Sequence, residues 1–199
     1  MILNENNAPL NALILCGGYS RRMQTDKFLI SYHNGMPQWL YLYNMLKPLV
    51  QDVFISCRPD QQQFFENEYR VIEDIAEGKG PAMGLISAHE KYPNAAWLVV
   101  ACDLPLLTDH TLRLLIGSRD IKKSATAFIS PENQLPEPLI AIWEPAGLEL
   151  LKENYDNDLI CPRKTMLSTD ILLLTNDAPE EQLNANTPKE RQDVISMLG

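Results

Sequence analysis

The chain has 199 residues, 45% of them hydrophobic and 22% charged, which is the composition of one soluble domain able to bury a core and excludes a wholly disordered chain. Seventeen Lys and Arg against 26 Asp and Glu leave a net charge of −9, so no basic face is on offer to a nucleic-acid backbone. No apolar run approaches the roughly 20 residues that span a bilayer, and the first residues show neither a basic stretch nor a small-residue cleavage site; a cytoplasmic protein without membrane contact is expected.

Compact apolar runs at 10–16, 53–57, 70–72 and 96–102 alternate with helix-like stretches. That alternation predicts an α/β fold, a Rossmann-like and mostly parallel sheet covered by helices on both faces, with these four runs at its centre. Between them, Pro37 suits a first helical turn and Trp39, Leu42, Tyr43, Leu46 and Leu49 recur at helical spacing, so 37–50 reads as an amphipathic crossover helix. Two further helices are expected at 81–92 and 108–118, the second opening at Thr108-Asp109, a pair able to cap it. A strand at 125–130, a proline-rich turn, a strand at 139–143 that can run antiparallel, and a helix from about 145 to 155 follow. Thr187-Pro188-Lys189-Glu190 is a capping box opening a last helix. With no repeat and no long linker, residues 1–199 read as a single domain.

Two places carry chemistry. The first strand runs straight into Gly17-Gly18, where the backbone can approach a ligand closely, and then into a cationic cluster of Arg21, Arg22 and Lys27; the combination suits a polyphosphate. It is neither a P-loop, since Arg22 stands five after Gly17, nor the GxGxxG dinucleotide fingerprint. Asp103 follows the strand 97–101 directly, at the carboxyl edge where open α/β sheets bind ligands, and can serve as a Mg²⁺ ligand or as a turn aspartate ahead of Pro105. Asp74 repeats that placement after the third strand, ahead of the flexible Gly78-Lys79-Gly80-Pro81, and brings a second carboxylate to the same edge.

The remaining reactive residue types are read as structural. Cys16, Cys57, Cys102 and Cys161 are scattered singly, without zinc spacing, and Cys57 and Cys102 read as small buried hydrophobes. His33, His89 and His110 lack a paired nucleophile motif and are assigned to surface or packing roles. Trp39, Trp97 and Trp143 fall in apolar runs and are assigned to the core.

Four separated segments resemble the molybdenum cofactor guanylyltransferase (MobA) family of nucleotidyltransferases. The family's LxGGxSxRMGxDK is similar to the segment from Leu15 through Cys16-Gly17-Gly18 to Asp26-Lys27, and its GPLAG to Gly80-Pro81-Ala82-Met83-Gly84. Its CDxP is similar to Cys102-Asp103-Leu104-Pro105, and its NVNTPEE to Asn184-Ala185-Asn186-Thr187-Pro188-Lys189-Glu190. The resemblance implies Mg²⁺-dependent guanylyl transfer from GTP to the phosphate of molybdopterin. By it, Leu15, Cys16, Gly17 and Gly18 contact the nucleotide through the backbone, Lys27 and Arg22 act on the phosphates, Asp74 touches the nucleotide and Asp103 holds Mg²⁺. Asn184 and Asn186 lie near the pterin acceptor. The partners so implied are GTP and molybdopterin, with other molybdenum-cofactor biosynthesis proteins or recipient apoenzymes.

The sequence departs from the family pattern at Gln24, which replaces a glycine, at Ser56-Cys57-Arg58, where many relatives carry an asparagine, and at Cys161-Pro162-Arg163-Lys164. The basic pair Arg163-Lys164 can meet an acceptor phosphate or be solvated. Rival readings are a cytidylyltransferase on the same pterin, whose loop resembles LAAG, another MobA-like or sugar-phosphate nucleotidylyltransferase, and a non-catalytic nucleotide-binding regulator.

Overall fold

In strand β1 (Leu10–Leu15), Ala12 and Ile14 face one core while Leu13 and Leu15 face another, because successive side chains of a strand leave opposite faces. The structure, a computed structural model, describes residues 8–18, 26–75 and 80–198. In chain order the further elements are β2 (Ser31–His33), β3 (Met36–Pro37), α1 (Gln38–Leu46), β4 (Val53–Cys57), β5 (Arg70–Glu73), α2 (Ala82–Lys91), β6 (Ala96–Ala101) and α3 (Asp109–Gly117). They continue with β7 (Ala125–Ile129), β8 (Pro136–Trp143), α4 (Pro145–Asp156), α5 (Pro162–Leu167), β9 (Ile171–Leu174) and α6 (Pro188–Leu198). The main sheet has seven strands in the order β5-β4-β1-β6-β8-β7-β9, and β8 runs antiparallel to both its neighbours.

Two cores result, one on each face of the sheet. The first joins Ile14, Ile55, Leu98 and Val100 to Leu42 and Leu46 of α1 and to Leu112 and Leu115 of α3. The second joins Leu13, Phe54, Trp97 and Val99 to Leu85 and Ile86 of α2 and to Leu148 and Leu151 of α4. Each fully buried aliphatic side chain is worth roughly 1.5–3 kcal/mol, so strands apolar on both sides, such as β6, are driven to the middle.

The α/β class and the covered sheet are as the sequence predicts, with local corrections. The run at 70–72 is not central: β5 forms an edge, since Arg70 and Glu73 are exposed and only Ile72 is buried. Pro37 does not open a helix; it pairs with Ser31 in the β2–β3 hairpin, and α1 starts one residue later. The hairpin turn is Asn34-Gly35, with φ of 49° and 75°, the pair that a two-residue turn of this hand requires. Thr108 precedes α3, but its hydroxyl donates to Glu181 (2.7 Å), and so does its N–H (2.8 Å), so a distant carboxylate takes the place of a local cap. The expected proline-rich turn is present at 131–135, and β8 begins earlier than expected, at Pro136, where its first residues lie beyond the pairing with β6 and a missing N–H costs that ladder nothing. Beyond Trp143, α5 and β9 are additions that the sequence reading did not contain.

Candidate active site

Strand order reverses at β1. The chain moves outward through β4 and β5 on one side and through β6 on the other, and open sheets bind ligands at the carboxyl ends beside such a point. Leu15 stands level with Ser56 of β4 and with Ala101 of β6, so Cys16, Cys57 (the last residue of β4) and Cys102 stand side by side at the carboxyl ends of the three strands.

Asp103 is the second residue past β6. Lys27, at the start of a short 3-10 turn (Lys27–Leu29), places its ammonium 3.1 Å from Asp103 Oδ2 and also donates to the side-chain carbonyl of Asn186. The Ala185 N–H donates to the Asp103 carbonyl at 2.9 Å. Three motifs far apart in sequence thus meet in one cluster. The Lys27 and Asp103 side chains are each 21% exposed, desolvated enough for their charges to matter and open enough for a ligand to reach them. Asn186 is held there by the capping box: Glu190 Oε2 accepts from the N–H groups of Asn186 (2.7 Å) and Thr187 (3.1 Å), and Thr187 Oγ1 accepts from the Glu190 N–H (3.2 Å). Asn184, two residues earlier, is exposed and does not join the cluster's hydrogen bonds.

On the other side of β1, Asp74 accepts a 2.8 Å hydrogen bond from Ser56 Oγ. Burial pushes its carboxyl up to about 6, against the opposing pull of the Ser56 hydroxyl and the Arg58 charge. Gly17 lies directly against it: a Cβ there would sit 2.4 Å from Asp74 Oδ2, which excludes any side chain unless the carboxylate moves. Gly84 plays the same part for α2, where a Cβ would meet Ser56 Oγ at 2.4 Å and Leu15 Cδ2 at 2.7 Å. The glycines at both positions thus set distances between elements.

Arg58, which the sequence reading mentioned only as a departure, is the buried organiser of this side. Its Nη1 donates to the carbonyls of Gly17 (3.0 Å) and Gly18 (3.3 Å), and its Nε and Nη2 fork onto Asp60 at 3.0 and 3.1 Å. Nη2 also lies 3.7 Å from Asp26 Oδ2. An arginine one residue past a strand that ends at the ligand edge was the available signal.

The other sequence assignments resolve individually. Arg21, Arg22, Gln24, Gly78 and Lys79 lie outside the described residues. Cys16, Cys57 and Cys102 are buried and free, and burial raises the Cys57 thiol to about 12 and the Cys16 thiol well above its ordinary value, so both stay protonated and inert. His33 stacks on Tyr41 and bonds the Pro105 carbonyl at 2.8 Å; His89 is buried against Glu149; His110 is exposed. The three tryptophans are in the core. Arg163 is not simply solvated: it donates to the Pro136 carbonyl (2.9 Å) and pairs with Glu137 (3.2 Å), while Lys164 is exposed.

The profile of the MobA-like NTP transferase domain matches residues 12–167. The chain is 33% identical over 186 residues to the molybdenum cofactor biosynthesis bifunctional protein of Synechocystis sp., covering 93% of this chain and 53% of that protein, so it spans about half the length of that relative. It is 27% identical to the molybdenum cofactor guanylyltransferase of Shewanella sediminis, covering 95% of this chain and 97% of that one. In fold it is similar to molybdopterin-guanine dinucleotide biosynthesis protein A from Archaeoglobus fulgidus, with a TM-score of 0.78 at 17% identity over 94% and 98% of the two chains. It is also similar to a CMP:2-keto-3-deoxy-manno-octonic acid synthetase complexed with CTP, with a TM-score of 0.72 at 13% identity over 96% and 98%. No described helix is long and apolar enough to cross a membrane.

Proposed function

We propose, because this chain belongs to the MobA-like NTP transferase family, that it is a molybdenum cofactor guanylyltransferase, joining GMP from GTP to the terminal phosphate of molybdopterin with release of pyrophosphate. The observation that carries the reading is the convergence of Lys27, Asp103 and Asn186 beside the glycine loop at the strand-order reversal. Full-length similarity to a named guanylyltransferase supports the choice of reaction.

In this reading the acceptor's phosphate oxygen forms a bond to the α-phosphorus while the bond from that phosphorus to its bridging oxygen breaks, and pyrophosphate leaves with the electron pair. A phosphate monoester, with a second pKa of about 6, is already largely dianionic near neutrality. It needs no general base, and the packing and surface roles of His33, His89 and His110 are consistent with that. The protein's task is charge neutralisation and in-line placement. Lys27 supplies a compact cation for the nucleotide phosphates, with Arg22 as a second; the backbone of residues 15–18 and Asp74 hold the nucleoside; Asn184 and Asn186 face the acceptor.

Among the described residues no group of three or more His, Cys, Asp or Glu is gathered for a metal. A single carboxylate is the share a protein gives to Mg²⁺ when phosphates and water complete the octahedron, so Asp103 fits that ion, whereas buried protonated thiols do not offer a zinc site. When bound, Mg²⁺ neutralises charge developing on the phosphates. Lys27 pairs with the Asp103 carboxylate at 3.1 Å.

The test is a thermal-shift series with GTP, CTP, ATP and UTP, each with Mg²⁺. Stabilisation by GTP above the others is expected; equal or stronger stabilisation by CTP would replace guanylyl by cytidylyl transfer.

A further inference from the structure

We infer that Arg58 is a positioning residue for base selection: by holding the carbonyls of Gly17 and Gly18, it leaves the loop with N–H donors to offer, and so favours a base edge that carries an acceptor. This rests on the proposed use of residues 15–18 as the nucleotide loop.

The backbone groups of that loop can be followed one by one. The Leu15 carbonyl accepts from the Cys102 N–H at 3.3 Å, and the Cys16 carbonyl from Gln61 Nε2 at 3.3 Å. Arg58 Nη1 takes the carbonyls of Gly17 and Gly18. The Cys16 N–H is spent on the Ser56 carbonyl at 2.8 Å. All four carbonyls are therefore engaged from within the protein. The N–H groups of Gly17 and Gly18 have no protein partner among the described residues, and both glycines are accessible. A ligand meeting this loop meets donors.

Arg58 is fitted to impose that polarity. It is 7% exposed, and its fork onto Asp60 fixes the plane of the guanidinium so that Nη1 faces the two carbonyls. Its approach to Asp26 ties it to the residue next to Lys27, so one side chain holds both flanks of the site. Lysine lacks the planar fork and cannot reproduce these contacts together. Guanine presents an acceptor at O6 where adenine presents an amino donor at N6, so outward N–H groups accept the first edge and leave the second unpaired. Hypoxanthine shares O6 with guanine, which makes the ITP-to-ATP comparison the direct measure.

The experiment measures binding of ITP, ATP, GTP, CTP and inorganic tripolyphosphate, each with Mg²⁺, by calorimetry on the full chain as wild type, Arg58→Ala and Arg58→Lys, with melting curves to verify folding. Wild-type protein is expected to bind ITP at least about tenfold more tightly than ATP, the worth of one hydrogen bond at the base. Arg58→Ala should bring that ratio near one while tripolyphosphate affinity, read by Lys27, stays within about twofold; Arg58→Lys should fall between. A wild-type ratio near one overturns the inference. So does a folded Arg58→Ala that keeps the wild-type ratio, or that loses ITP and tripolyphosphate alike. If Arg58→Ala does not fold, Arg58→Lys is judged by the same ratio. Wild-type preference for CTP over GTP is a separate result: it overturns guanylyl transfer, while the ITP-to-ATP ratio still decides the role of Arg58.

Discussion

Replacing Asp74 by asparagine should stabilise the free protein at neutral pH and remove part of its pH dependence. The carboxyl titrates near 3.8 when unfolded and is raised to about 6 in the fold, chiefly by burial. Below pH 3.8 it is protonated in both states and contributes nothing. Between about 4 and 6 the unfolded chain releases the proton while the folded chain keeps it, so stability falls as pH rises, and above 6 the cost is constant. About two pKa units correspond to a ceiling of about 3 kcal/mol, and solvent reaching the half-buried carboxylate reduces this to about 1–2 kcal/mol. Asparagine keeps the acceptor for the Ser56 hydroxyl and carries no charge. Melting curves of both proteins from pH 4 to 7.5 should therefore nearly coincide at the acid end and diverge toward neutrality, at about 2–4 °C per kcal/mol for a chain of this length. A difference independent of pH, or an asparagine variant less stable at pH 7.5, would refute the assignment of the cost to a buried charge.

Lys27→Ala should leave the fold intact and weaken GTP binding by about tenfold or more, since a compact cation is lost from the proposed phosphate site; unchanged affinity by calorimetry would remove Lys27 from that role. Asp103→Asn should abolish most of the pyrophosphate release from GTP and molybdopterin across a Mg²⁺ titration, with a melting temperature near wild type; because asparagine also suits a turn, near-normal turnover would leave Asp103 a turn residue. Arg119→Ala should cost about 3–5 kcal/mol in denaturant unfolding, because it strands Glu144, whose carboxylate is 5% exposed and receives two bonds from Arg119 at 2.6 and 2.8 Å. A loss under about 1 kcal/mol would show that water replaces the guanidinium.

What the sequence made legible follows the strength of local signals. Strands buried on both faces announce themselves: Val53–Cys57 has the predicted bounds, and β1 and β6 each fall one residue short of them. The last helix begins where its capping box places it, because that signal is local and complete. Position within the sheet was harder, since Arg70–Glu73 is too short for its alternation to separate an edge from a centre. The β2–β3 hairpin carries a strong turn pair in Asn34-Gly35, but the helical spacing from Trp39 onward reads back across Pro37 and masks it. Glu181, which takes both donors of Thr108 from 73 residues away, has no local signature at all.

The site divides in the same way. Gly17, Asp74 and Asp103 were readable because each follows a strand in a parallel sheet, and parallel strands bring whatever follows them to one edge. That rule gives the edge without the depth. Asp103 and Lys27 share a partly buried charge pair on the β6 side, whereas Asp74 lies half-buried against Gly17 on the β4 side, where ionisation is opposed. Two carboxylates that look equivalent in sequence therefore sit in different settings: Asp103 pairs with the Lys27 ammonium, while Asp74 lies against Gly17 under the Ser56 hydroxyl, where burial raises its carboxyl. Arg58 lies between these two settings in kind as well as place, a buried charge satisfied by Asp60 and by two backbone carbonyls. Buried charges persist only when each donor has a partner, so the packing that hides Arg58 from solvent is also what obliges it to shape the loop.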